Sequence, residues 1–130
     1  MTYIICILIF AIGNITPTQT VYQMPNTAPT KDSIHMEFFH GNGCPQCDRV
    51  KPVVASLKKK YSQLEVKEYE IYDNRDNLLL LQKRFRQLDI PFRHQCVPAV
   101  FIGDLCFTGY KDIKNKLEDA IQERLVAPQQ

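Results

Sequence analysis

The stretch Cys44-Pro45-Gln46-Cys47 lies at a junction between a strand pattern and a helix pattern, which limits what the chain can fold into. Before it, Ile34-His35-Met36-Glu37-Phe38-Phe39 is a short β-rich run and His40-Gly41-Asn42-Gly43 a flexible loop; after it, apolar residues recur at helical spacing. Two thiols three apart at a helix start share one face and lie within disulfide reach. The first also meets the positive end of the helix dipole. Cysteines in such positions have pKa values lowered to about 3.5–7.5. Cys44 is then a nucleophile and Cys47 its resolving partner, the makings of a redox pair.

A chain of 130 residues suffices for one domain with a real core and is short for two. With 45% apolar and 23% charged residues it has an ordinary globular composition, and five cysteines are too few to build a disulfide scaffold of this size. The net charge of +2 argues for neither a nucleic-acid partner nor an acidic lipid surface.

Tyr3 to Ile12 is an apolar run of signal-peptide length, well short of the about 20 residues that span a bilayer. Residues 1–20 are therefore expected to be a signal peptide or hydrophobic N-terminal segment, residues 3–12 doubling as a membrane tether if uncleaved. Export makes the protein secreted, periplasmic or otherwise extracytoplasmic. Cys6 reads as a small apolar residue of that segment, and the Asn14-Ile15-Thr16 sequon is weakened by Pro17. Residues 21–33, rich in Thr, Pro and Asn, read as a flexible leader, and 127–130 as a short tail.

Residues 34–126 alternate strand and helix. Val50, Val53, Val54, Leu57 and Tyr61 mark a first helix, ending in Lys58-Lys59-Lys60 and interrupted by Pro52, which should kink it. Leu64 to Tyr72 forms a second strand, and Leu78, Leu81, Phe85 and Leu88 a second helix. The leucines at 78 to 81 predict a helix covered on two sides. Val97 to Ile102 and Leu105 to Thr108 are strands joined by a tight Gly103-Asp104 turn, and Ile113, Leu117, Ile121 and Leu125 line a last helix. The order β-α-β-α-β-β-α implies an α/β fold, a mixed four-stranded sheet with helices on both faces.

These residues resemble the thioredoxin superfamily from Ile34 to Leu125. Phe38 to Cys47 is similar to its first strand and active-site loop, Pro52 to its helix-kinking proline, Val97-Pro98 to its cis-proline and Gly109 to the glycine after its last strand; the Gly103-Asp104 hairpin is closer to glutaredoxins. Three departures stand out. Phe38 replaces the buried Asp that relays protons to the second cysteine, Gly43 replaces a Trp, and Pro-Gln separates the cysteines.

The resemblance implies a thiol–disulfide oxidoreductase with Cys44, Cys47 and Pro98 as its catalytic residues. Val97 would pair its backbone with an extended substrate, flanked by Pro45 and Gln46. It implies no cofactor beyond the redox-active Cys44–Cys47 disulfide and no resident metal. Its partners would be protein dithiols or disulfides and a separate redox partner, and the chain itself a monomer. His40 is a candidate for stabilising the thiolate, and Glu68 or Glu70 for replacing the missing Asp. Cys96 is either a rim thiol that senses oxidation or a half-buried spectator, the second being the default. Cys106, opposite Phe101, should pack in the core. Other readings stay open: a permanent disulfide stapling the helix, a non-catalytic binding module, or a metal carrier in which Cys96, His94 or Cys106 joins the pair. The lead reading slightly favours reduction, because Pro-Gln lacks the histidine of strongly oxidising sites.

Overall fold

The computed structural model describes residues 33–127. The N-terminal segment expected over 1–20, including Cys6 and Asn14, lies outside them, as do the leader apart from Ser33 and the tail apart from Ala127. The elements run β1 (Ile34–His40), α1 (Pro45–Lys60), β2 (Leu64–Glu70), α2 (Arg75–Gln87), a single 3-10 turn (Phe92–His94), β3 (Ala99–Ile102), β4 (Leu105–Thr108) and α3 (Gly109–Val126).

The strands form one sheet in the order β2-β1-β3-β4, with β1 and β2 parallel and the other neighbours antiparallel. A parallel pair needs a crossover, and α1 supplies it. Both ends of that helix are well terminated. Cys44 caps it with an extended backbone, Pro45 occupies its first turn, and Lys58, Lys59 and Lys60 complement the dipole at its end. Pro52 stands inside α1, which continues to Lys60.

Strand alternation divides the interior. Ile34, Met36 and Phe38 of β1, with Val100 and Ile102 of β3, meet Val50, Val54 and Leu57 of α1 and Ile113, Leu117 and Ile121 of α3. On the opposite face Phe39, Ala99 and Phe101 meet Leu81 and Phe85 of α2. Phe101 sits edge-on to Phe39 and tilted against Phe85, both at 5.6 Å between ring centroids, geometries that aromatic quadrupoles favour.

Three expectations are corrected. The second strand stops at Glu70, before Tyr72, because the Glu70 carboxylate accepts from the N–H groups of Tyr72 and Asp73 and folds them into a turn. The third strand starts at Ala99; Val97 and Pro98 precede it, and Pro98 has no N–H to give a ladder. The leucine run is not covered on two sides. Leu81 is buried, whereas Leu78 and Leu79 are 36% and 50% exposed, because α2 is the only helix packed in its core cluster among the described residues.

Asn74 caps α2, accepting from the Asn77 N–H at 3.1 Å. At the other end Asp89 adopts the left-handed region (φ 49°) while the Ile90 N–H reaches the Phe85 carbonyl at 3.0 Å and the Asp89 N–H reaches that of Arg86 at 3.3 Å. This is the Schellman arrangement, in which glycine is the usual residue. Asp89→Gly is expected to stabilise the fold by about 0.5–1 kcal/mol. The check is a rise in the urea midpoint at unchanged m.

Candidate active site

The site forms where β1 ends and α1 begins. Gly43, just before the first cysteine, has φ 72°, a conformation that side chains rarely tolerate, and this accounts for glycine where the resemblance places a Trp. A Cβ on Gly41 would come within 2.4 Å of the Tyr72 ring, so that glycine allows the ring to lie directly over the loop. The Cys44 N–H closes the turn on the Gly41 carbonyl at 3.3 Å.

Cys44 and Cys47 are joined as a disulfide, with Cα atoms 5.2 Å apart. The Cys47 backbone N–H donates to Cys44 Sγ at 3.2 Å, making sulfur the N-cap acceptor of α1. The same N–H and the dipole behind it would stabilise a thiolate at Cys44. Cys44 retains 8% exposure and Cys47 none, so only the first sulfur can be approached from outside. Pro45 and Gln46 between them are exposed.

Pro98 is fully buried, and the Val97–Pro98 peptide bond is cis. The Pro98 carbonyl accepts from the Gly109 N–H at 2.8 Å, and Gln46 Oε1 accepts from the neighbouring Tyr110 N–H at 3.5 Å. Arg49 of α1 lies 4.0 Å over the Tyr110 ring. Through the start of α3, the segment before β3 is thus brought beside the cysteine turn. Among the described residues neither the N–H nor the C=O of Val97 has a hydrogen-bond partner.

The carboxylates lie elsewhere than expected. β2 is an edge strand, not a central one, so Glu68 is exposed and pairs with Lys58 at 3.8 Å. Glu70 is a loop organiser. Its carboxylate accepts from the backbone N–H groups of Asn42 (3.1 Å), Tyr72 (2.8 Å) and Asp73 (2.9 Å), and the Asn42 side chain donates to Asp73 at 2.9 Å. Burial pushes the Glu70 carboxyl up, but those N–H groups and the nearby His40 together hold it below its ordinary value. Sequence reasoning names Glu70 only as a candidate relay, does not see this loop-organising role, and misses Asn42. The signal for Asn42 is a side chain that favours turns, set between two glycines.

His40 is partly buried, its ring 5.2 Å from that of Phe38, and its Nδ1 is buried without a partner. Phe38, at the position of the missing Asp, is completely buried. Cys96 is exposed rather than half-buried, because it precedes the strand on a surface turn. Cys106 pairs with Phe101 across the hairpin and is half-buried against the α2-side core. Burial, with a smaller contribution from Cys96, pushes its thiol up to about 12. Among the described residues no three His, Cys, Asp or Glu side chains converge as metal ligands, and no helix is long and apolar enough to cross a membrane.

Two tests follow from these environments. A lowered Glu70 pKa means that its three bonds stabilise the fold fully above the ordinary value of 4.5 and are lost as pH falls through the folded-state value. Glu70→Gln should therefore melt below the wild type at neutral pH, the gap closing in acid; parallel thermal melts against pH check this. Iodoacetamide at about pH 8 should modify Cys96 and spare Cys106 in the folded, oxidised protein. Peptide mass mapping before and after unfolding reads the difference.

No protein-family model matches the chain, and no curated protein matches its sequence. Among solved structures it is similar to the dithiolic glutaredoxin 2-C-Grx1 from Trypanosoma brucei brucei, with 16% identity, a TM-score of 0.51, and 75% of this chain and 91% of that one covered. It is also similar to the holo form of glutaredoxin C1 from Populus tremula x tremuloides, with 21% identity, a TM-score of 0.49, and 73% and 78% covered. The trypanosome protein and this chain share one architecture, the thioredoxin-like α/β fold.

Proposed function

We propose that the protein is a thiol–disulfide oxidoreductase that reduces protein disulfides through Cys44 and Cys47, outside the cytoplasm. The observation that carries this reading is Cys44 Sγ at the cap of α1, accepting a backbone N–H, with its partner cysteine fully buried one turn on. The apolar run Tyr3 to Ile12 supports export.

In the reduced protein, the Cys44 thiolate attacks one sulfur of a substrate disulfide. A mixed disulfide forms, and the departing substrate sulfur leaves as a thiolate that takes up a proton. The unpaired Val97 backbone holds the extended substrate segment beside Cys44, as strand addition does. Cys47 then loses its proton and attacks Cys44 Sγ, forming the intramolecular disulfide and releasing the second substrate thiol. Two electrons pass to the substrate, and an external dithiol returns the pair to its reduced state. The reaction needs no cofactor beyond the pair itself.

Cys47→Ser is expected to trap mixed disulfides from extracts of the source cells, and adding Cys44→Ser should abolish them. A trap that captures nothing from either oxidised or reduced extracts would sink the enzyme reading. Titration of the pair against a redox buffer checks direction: a midpoint near about −270 mV marks a reductant and one near about −120 mV an oxidant.

A further inference from the structure

On the α2 side of Val97 the surface opens into a groove of about 430 Å³, walled by Tyr72, Leu78, Phe85, Phe92, Cys96 and Val97 among others. That size lies within the range of ligand-binding clefts. Among the described residues no charged side chain lines it; its polar side chains are chiefly Gln82 and Gln95, and the latter is already engaged with the Ile90 carbonyl at 2.8 Å. The apolar walls are unusually open to water, Tyr72 being 58%, Leu78 36% and Phe92 89% exposed. The groove is continuous with the redox site at two points. Val97 belongs to both, and the Tyr72 ring lies over Gly41 of the cysteine loop.

Strand geometry says what would enter. Val97 packs against the cluster containing Ala99 and Phe101, so its side chain points to the α2 face, while Cys44 begins α1 on the opposite face. A residue directly opposite Val97 in an added strand points to the same face as Val97, and its sequence neighbours point to the other. A segment paired with Val97 can therefore aim a cysteine at Cys44 only while aiming the flanking residue into the groove. We propose that the groove receives a large apolar side chain flanking the substrate cysteine, so that the enzyme selects protein segments in which an aliphatic or aromatic residue adjoins the disulfide. The proposal rests on the thiol–disulfide exchange reading above. A tripeptide thiol with two carboxylates, such as glutathione, finds no cation among the described residues of this groove to hold it.

The test compares two disulfide-linked peptides that differ only in the residue beside the cysteine, leucine in one and serine in the other, reduced by the full chain with dithiothreitol as donor. The leucine peptide should be reduced with a kcat/KM about 10-fold higher. In the double variant Leu78→Asp, Phe92→Ser the ratio should fall toward one, with an unchanged urea midpoint showing that the fold is intact. Equal rates for the two peptides in the wild type, a ratio that survives in the variant, or a preference for a glutathionylated serine peptide over the leucine peptide would each overturn the proposal. If no disulfide is turned over, the exchange reading itself fails. The groove is then judged by fluorescence anisotropy with cysteine-free versions of the peptides and the oxidised chain, where tighter binding of the leucine peptide supports the proposal and equal binding defeats it.

Discussion

The parallel pairing of β1 with β2 is the constraint on which the rest depends. Seven residue pairs, Ile34 with Leu64 through His40 with Glu70, hold the two strands in register. Parallel strands cannot be joined by a tight turn, so the chain must run back over one face as a helix. That return sets the N-terminus of α1 at the end of β1. Both the dipole and the uncommitted N–H groups of the first turn are thereby delivered to the spot where Cys44 stands. The chemistry of the sulfur is thus a by-product of strand topology, sharpened by Gly43 and Pro45.

The two faces of the sheet serve different ends. Among the described residues two helices cover the face beneath Cys47, which is fully buried; one helix covers the other face and leaves Val97 at an open margin. Burying each large apolar side chain of such cores contributes about 1.5–3 kcal/mol, which explains why β3, buried at every position, can be as short as four residues. The thin side is where recognition has room. Glu70 links the sides, since its carboxylate ties the loop before Cys44 to the loop before α2.

Local patterns were legible in the sequence and three-dimensional neighbours were not. The cysteine pair, the hairpin at Gly103-Asp104 and the inward faces of α1 and α3 follow from spacing alone, because each depends on residues close in the chain. The exposure of Glu68 and the loop contacts of Glu70 are not legible because strand order is a property of the sheet: nothing within Leu64–Glu70 says that it lies at an edge of the described sheet. The leucines at 78 and 79 misled for a related reason, since hydrophobicity records a preference for burial and not whether a second layer exists to provide it. Burial is the habit of cysteine as a residue type, yet Cys96 is exposed, because the turn that holds it is set by the segment before Pro98.

Phe38 gives the interior a particular character. Among the described residues no polar or charged residue is buried as a whole, and the space beneath the disulfide is mainly hydrocarbon and aromatic ring. Opening the disulfide therefore introduces an acid at Cys47 into a layer from which the resembled family's carboxylate is missing. The titratable side chain that reaches this layer is His40, whose Nδ1 is buried without a partner and whose ring lies 5.2 Å from that of Phe38. Among the described residues the fold thus offers the Cys47 proton an imidazole at the rim of this layer and no buried carboxylate.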